Sequence, residues 1–203
     1  MLPQQLQTLI SQFTKLPGIG PRQAARFVFY LLRNPQEISE LENGLSQVRE
    51  DIKLCKNCFL PAFVDCRICS DRRRNKNLIC VVEKETDAVN LEKTRQFQGH
   101  YFILGGFIDP LEKESLAHER LNILTRRFEN SPSPLEGEVG SGLELILALT
   151  PRREGDFTSL YIEEQLKLFP GIKITRLGRG LSSGAELEYA DEETLRNALA
   201  GRK

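Results

Sequence analysis

Apolar side chains change their period along the chain, and the changes divide it. From Gln4 to Thr14, the residues Leu6, Leu9, Ile10 and Phe13 return every three or four positions, the spacing of one face of a helix. Leu16-Pro17-Gly18-Ile19-Gly20-Pro21 interrupts that pattern. Pro21 suits the first turn of a new helix, where the N–H it lacks has no intrahelical partner anyway. The new helix runs to about Leu32, with Ala24, Phe27, Val28 and Leu31 on its inner face, until Asn34-Pro35 stops it. Ile38, Leu41, Leu45, Val48 and Ile52 then mark a third helix.

Beyond a cysteine-rich stretch the pattern shortens. Leu78–Val82 is an apolar run of the kind found in strands buried on both faces, and Cys80 inside it reads as a small core residue. A helix is expected over Asp87–Arg95 and a strand over Tyr101–Leu104, ended by Gly105-Gly106. A helix over Glu114–Glu129 carries Leu116, Leu121, Leu124 and Phe128, and a strand follows at Leu143–Leu149. A helix over Thr158–Phe169, a strand over Ile172–Leu177 and a short helix over Asp191–Ala200, capped by Asp191, complete the chain. Alternating strands and helices predict a parallel sheet covered by helices. Between them Asn130–Gly142 is rich in proline, glycine and serine and predicts a mobile surface loop.

Composition adds limits. The chain has 203 residues, 40% of them hydrophobic, enough for a core. No apolar run approaches the ~18 residues of a membrane span. Met1-Leu2-Pro3-Gln4 lacks the features of a signal peptide, so a cytosolic setting is expected. Basic and acidic residues number 28 each, so charge is segregated rather than absent.

Cys55-Lys56-Asn57-Cys58 and Cys66-Arg67-Ile68-Cys69 place two C-x-x-C knuckles close together. Four thiolates aimed at one point are the ligand set of a tetrahedral, structural Zn²⁺. Four buried thiols or a pair of disulfides are the alternatives, and a reducing cytosol favours the metal. Lys53, Lys56, Arg67, Arg72, Arg73, Arg74 and Lys76 stand nearby against Asp65 and Asp71. Such a basic face implies a polyanion partner, or else a solvated surface run.

Leu16–Arg26 carries a second chemistry. Glycines flanking Ile19 permit a tight turn whose backbone N–H groups face outward at a helix start, a position that attracts phosphate. Arg22 and Arg26 are four apart and share one face, with Lys15 beside the turn. Ile19 plugs the hairpin. The segment resembles a helix-hairpin-helix element, which grips DNA phosphates without reading bases; an ordinary interhelical turn is the alternative. The DNA-binding set is thus Lys15, Gly18, Gly20, Arg22 and Arg26.

Glu83 directly follows the first strand of the α/β region, where open α/β sheets place their chemistry. Ile79-Cys80-Val81-Val82-Glu83, then a helix and Leu104-Gly105-Gly106, resembles a Toprim domain. Catalytic Toprim domains pair such a glutamate with an Asp-x-Asp after a later strand, the cluster holding Mg²⁺ for phosphoryl transfer. Here Thr150-Pro151-Arg152-Arg153 follows the later strand, and no Asp-x-Asp occurs anywhere. Too few oxygen ligands remain for a two-metal reaction, and Asp109 is the one candidate to join Glu83. His100 and His118 lack a nucleophile context, and no phosphate-binding P-loop motif is present. The glycines of Leu177–Gly184 are a weak nucleotide signal.

Taken in order, these pieces are similar to the RecR family of bacterial recombination mediators. The likeness extends through Thr175-Arg176-Leu177-Gly178-Arg179-Gly180 and Leu187-Glu188-Tyr189-Ala190-Asp191-Glu192. It implies a multidomain α+β chain: a helix-hairpin-helix region at 1–53, a four-cysteine zinc finger at 54–77, an α/β Toprim domain with a parallel sheet at 78–175, and a C-terminal segment at 176–203. It further implies a ring-shaped homotetramer that clamps single-stranded, duplex or gapped DNA in the cytoplasm, at the nucleoid. Such proteins act with RecO and RecF to load RecA, without enzymatic activity of their own. Glu83, Glu85 and Asp87 are the candidate protein-facing residues, because a DNA-binding ring needs another face for partners. Three segments depart from the family pattern: Asp109–Ala117 lacks a Gly-Ile-Gly-Pro, Thr150–Gly155 replaces Asn-Pro-Thr-x-Glu-Gly, and the Ser131–Gly142 spacer is long. A Mg²⁺-dependent Toprim phosphotransferase or nuclease, and a zinc-stapled adaptor, are the rival readings.

Overall fold

The computed structural model describes residues 2–112, 114–130, 142–169, 171–178, 180–181, 184 and 186–200. Of the loop expected over Asn130–Gly142, residues 131–141 lie outside the described residues. The chain divides into two compact units, Met1–Lys53 and Leu54–Lys203.

The first unit is three helices, α1 (Gln4–Phe13), α2 (Pro21–Arg33) and α3 (Pro35–Asp51). Pro21 and Pro35 each stand in the first turn of their helix. Ala24 and Val28 of α2 are fully buried, and the Phe13 and Phe27 rings meet at 6.1 Å. Phe27 itself stays 37% exposed, so the inner face of α2 closes over fewer residues than its period implies. Asn34 Nδ2 donates to the Tyr30 carbonyl (2.8 Å), and Tyr30 Oη donates to Glu37 Oε1 (3.2 Å), joining α2 to α3. The periodic stripe Ile38, Leu41, Leu45 and Val48 of α3 is 42–63% exposed.

Two short strands, β1 (Lys53–Leu54), which starts at the last residue of the first unit, and β2 (Pro61–Ala62), pair with each other, and the single-turn helix α4 (Arg67–Ser70) follows. Then follow β3 (Leu78–Val82), α5 (Glu85–Lys93), β4 (His100–Ile103), α6 (Leu116–Asn130), β5 (Leu143–Ala148), α7 (Arg153–Leu166), β6 (Ile172–Arg176), a 3₁₀ turn at Leu187–Tyr189 and α8 (Glu192–Ala200). Strands β3 to β6 form one four-stranded sheet in the order β4-β3-β5-β6, every pair parallel. Side chains alternate across it. Val81, Phe102, Leu104, Leu145 and Leu147 face one core, closed by Ala117, Leu121 and Leu124 of α6 and Ile162 and Leu166 of α7. Cys80, Val82, Tyr101, Ile103 and Ala148 face the other, with Ala88 and Leu91 of α5 and with Leu60 and Ile68 of the cysteine-rich stretch. The cysteine-rich stretch therefore covers sheet surface as well as carrying its own chemistry.

Helix α7 begins at Arg153, five residues earlier than its apolar period predicts. Gly155 falls in that first turn, and its missing side chain is required there. A Cβ would stand 2.0 Å from the Thr150 carbonyl oxygen. Thr158 Oγ1 donates to the Glu154 carbonyl (2.7 Å) and accepts the Ile108 N–H (2.9 Å), which fixes the turn to the loop after β4. At the other end, Asp191 caps α8 by accepting the Thr194 N–H at 2.9 Å.

Candidate metal centre and nucleic-acid interface

Local backbone geometry folds each knuckle back on itself. Cys55 N donates to the Leu60 carbonyl and Phe59 N to the Cys55 carbonyl, both at 2.9 Å. Phe59 turns the chain with φ 64°, in the left-handed region that few non-glycine residues adopt. Ser70 N returns to the Cys66 carbonyl at 2.9 Å. The result brings the Sγ atoms of Cys55, Cys58, Cys66 and Cys69 within 4.8 Å of one another, the only such group of three or more ligating side chains among the described residues. Cys58 and Cys66 Sγ are 3.5 Å apart. Bonds of about 2.3 Å in a tetrahedral tetrathiolate zinc site place sulfurs about 3.8 Å apart, so the four fit such an ion. All four are free thiols, and 3.5 Å far exceeds the ~2.05 Å of a disulfide.

Electrostatics agree with a cation-shaped site. A hydrogen bond with Cys69, then burial, drives the Cys58 thiol strongly upward, and burial raises Cys66. At Cys55 burial acts upward too, but the N–H groups of Asn57 and Cys58, with the Cys58 and Cys69 side chains, together outweigh it and the net shift is downward. Crowded sulfurs resist ionising together, and a divalent cation relieves that conflict. Cys80 stands apart in β3, 2% exposed, its thiol pushed up to about 12 by burial.

In the first unit, the α1–α2 turn is built as its glycines suggest. Gly18 has φ 78°, which a side chain would strain. Gly20 differs: it caps α2 at φ −83°, and a Cβ there would meet nothing within 4 Å. Nothing in the fold demands glycine at 20, so its bareness leaves backbone open to the outside. Ile19 N donates to the Leu16 carbonyl (3.1 Å), closing the turn with Ile19 half-buried. Lys15, Arg22 and Arg26 are exposed, and among the described residues their side chains have no hydrogen-bond or ion-pair partner. No acidic residue precedes Glu37, whereas Lys15, Arg22, Arg26 and Arg33 do. The α1–α2 hairpin is therefore uniformly basic.

Glu83 ends β3 only 4% exposed. Its Oε2 accepts the Thr150 hydroxyl (2.9 Å) and its Oε1 pairs with Lys84 Nζ (2.9 Å). Glu83 raises the Lys84 pKa, and Arg152 opposes that shift from nearby. Asp87 Oδ2 accepts the Lys84 N–H (3.0 Å) at the start of α5, and Glu85 is half-buried in the same turn. Asp109 is exposed and its Oδ1 accepts the Leu111 N–H at 2.8 Å. The carboxylate at the strand end thus has a hydroxyl and an ammonium for partners, where a metal reaction needs further carboxylates.

Sequence reasoning missed Thr150 and Lys84 as the partners of Glu83. It also missed Arg120 and Arg127 of α6. Arg120 is 5% exposed and its guanidinium lies 4.4 Å from the Phe59 ring centroid. The available signal was the placing of two arginines seven apart, in register with Leu124 on the buried stripe of α6.

Comparison with known proteins agrees with this geometry. Residues 77–178 match the family profile of the Toprim domain, 6–48 that of "RecR, helix-hairpin-helix", and 180–203 that of "RecR, C-terminal". Proteins named Recombination protein RecR are similar over nearly the full length. That of Rhodococcus jostii is 40% identical over 200 residues, 98% of this chain and 96% of its own. That of Mycobacterium leprae is 42% identical over 200 residues, with the same coverage of both chains. That of Desulfitobacterium hafniense is 41% identical over 202 residues, 99% of this chain and 96% of its own. At 40% identity or more over nearly its full length with these proteins, the chain belongs to the RecR family of recombination proteins.

Proposed function

We propose that this protein is a non-enzymatic recombination mediator that holds DNA by its backbone and, with RecO and RecF, promotes RecA loading at single-stranded gaps. The observation that carries the reading is the basic hairpin, whose Lys15, Arg22 and Arg26 side chains have no partner among the described residues. At the start of α2 the first N–H groups lack intrahelical partners and the helix dipole is positive, so the turn beside Gly20 is suited to a phosphate oxygen. Arg22 and Arg26, one turn apart on α2, would flank the same strand. None of these groups reads a base edge, so binding is independent of sequence.

The tetrathiolate cluster would hold Zn²⁺, which supplies structural cross-linking of the knuckles and no reaction step. Between Lys53 and Lys76, Arg74 is drawn in by Glu92 and Arg73 pairs with Asp71, which leaves the exposed Lys56, Arg67, Arg72 and Lys76 as a second contact for the same polyanion. Exposure of the apolar α3 stripe supports self-association, and a tetrameric ring would gather several basic hairpins at one opening. We propose the four-part division at 1–53, 54–77, 78–175 and 176–203, with the acidic turn Glu83–Asp87 facing a protein partner. Within that turn Glu83 is shielded, so Glu85 and Asp87 would make the contact. Among the described residues no carboxylate cluster stands beside Glu83, whose partners are Thr150 and Lys84, and this supports a Toprim unit without phosphoryl-transfer activity.

The test is binding to gapped, single-stranded and duplex DNA, with and without RecO, alongside a Mg²⁺-dependent cleavage assay. Preferred retention on gapped DNA, faster RecA assembly on coated gaps and no turnover are expected. Turnover abolished by Glu83→Gln would instead establish the nuclease reading. Failure to bind any gapped DNA at low salt would end the mediator reading.

A further inference from the structure

The sulfur cluster has a neighbour that the C-x-x-C spacing does not announce. Arg127, on α6, donates from Nη1 to the Asn57 carbonyl (2.6 Å) and from Nη2 to the Lys56 carbonyl (2.9 Å). Lys56 and Asn57 are the two residues between the ligands Cys55 and Cys58, so one guanidinium grips the whole bend of the first knuckle. Its planar fork fits two adjacent carbonyls as an ammonium does not. The guanidinium carbon also lies 5.4 Å from the Phe102 ring centroid, which fixes it from the sheet side. Burial lowers the Arg127 pKa, while Cys69, Cys55 and Cys58 oppose that shift, so the cation stands within electrostatic reach of three of the four sulfurs. Other contacts hold the same knuckle from behind. Ile103 N donates to the Cys58 carbonyl (3.0 Å), and Arg120, which stacks on Phe59, donates to the Ile103 carbonyl (3.2 Å).

A divalent ion held by four thiolates carries a net charge of about −2. Partial burial makes that charge costly unless a cation or N–H groups face it. Asn57 N approaches Cys55 Sγ at 3.4 Å, and the Arg127 cation bonds to the knuckle backbone itself. Arg127 also walls a cavity of about 310 Å³ shared with Cys69, Asn57, Lys76 and His100. Truncating it would open that path to Cys69.

We propose that Arg127 is a positioning residue of the metal centre: its guanidinium fixes the backbone of the Cys55–Cys58 knuckle and offsets the charge of the tetrathiolate, so that α6 of the Toprim unit is part of the metal site. The proposal rests on metal binding by the four cysteines. Zinc-loaded full-length protein and its R127A, R127K and N122G variants would be challenged with the chelating dye 4-(2-pyridylazo)resorcinol, and release followed by absorbance. R127A should release zinc about 10–100-fold faster, the range seen when an outer-shell partner of a ligand is lost. R127K, which keeps the charge and loses the fork, should fall between R127A and the parent. N122G loosens α6 at an exposed position and should release at the parent rate.

Cobalt(II)-substituted protein gives a second readout. A cation beside the sulfurs stabilises their donor electrons, so the sulfur-to-cobalt charge-transfer band should move to lower energy in R127A and stay in place in R127K. Parent-like release and an unmoved band in R127A would overturn the proposal, as would equal acceleration by N122G. If R127A does not fold, R127K decides, parent-like release by R127K overturning it. A parent protein that holds no zinc would sink metal binding itself; a parent that holds zinc no better than R127A sinks only the role of Arg127.

Discussion

Replacing Arg22 and Arg26 together by alanine tests the DNA interface most directly. Both lie on the exposed side of α2 without intramolecular partners among the described residues, so their removal leaves no buried charge or broken ion pair behind. Folding stability should therefore move by no more than about 0.5 kcal/mol. Binding should respond differently. Each phosphate neutralised releases condensed counterions and contributes about 0.9 to the log–log salt slope on duplex, or about 0.7 on single strands. Two lost contacts per engaged protomer then flatten the slope by about 1.8 on duplex and about 1.4 on single strands. Between about 50 and 200 mM salt, a span of roughly 0.6 log units, that amounts to an approximately tenfold smaller loss of affinity for the variant on duplex. Fluorescence anisotropy of labelled gapped and single-stranded DNA over a salt series measures it. Two unrelated sequences should shift alike, and the lysine pair R22K/R26K should retain the parental slope. Identical slopes for parent and R22A/R26A would refute the reasoning, because unpaired cations that touch phosphate must appear in that slope.

Further outcomes follow from the glycines, the sulfurs and a histidine. Gly20→Ala should change stability by less than about 1 kcal/mol, since its Cβ meets nothing, yet weaken DNA binding by holding the backbone off the phosphate; unchanged affinity would remove Gly20 from the interface. Gly155→Ala should cost about 1–3 kcal/mol, because a Cβ 2.0 Å from the Thr150 oxygen forces α7 away from β5, and a parent-like thermal melt would contradict it. Cys58→Ser should lose bound metal and expose the 54–77 region to protease, and full metal content in that variant would count against the tetrathiolate site. Burial, aided by Arg74 and Lys76, holds His100 below the ordinary histidine value. Its unfolded form binds the proton more readily, so its contribution is complete above about pH 6.5 and is lost as pH falls through the depressed folded value. His100→Gln should flatten the acid limb of the stability profile between those values, and an unaltered limb in urea titrations would disprove the assignment.

Much of the architecture was legible in one dimension because its causes are local. Pro21 and Asn34-Pro35 bound α2 through backbone restrictions that act within a few residues. Strand β3 was readable as doubly buried because an unbroken apolar run leaves no polar face, and its side chains do enter both cores. Two C-x-x-C pairs predict convergent sulfurs because the ligand spacing is itself short. The start of α7 was not legible. Gly155 reads as a helix breaker until the Thr150 carbonyl is found in the space a side chain would need. The exposure of the α3 stripe was not legible for a related reason: a periodic stripe says which residues share a face, not whether that face is covered within one chain.

Sequence alone determined the elements, the four sulfurs and the basic hairpin, since dihedral preferences, short ligand spacings and a helix period of 3.6 all act between near neighbours. Tertiary structure alone decided that Glu83 meets Thr150, and that Arg127 of α6 grips the bend between Cys55 and Cys58. Those contacts join residues some seventy positions apart, where no local rule of backbone or side chain reaches, and only the packing of a parallel sheet brings them together.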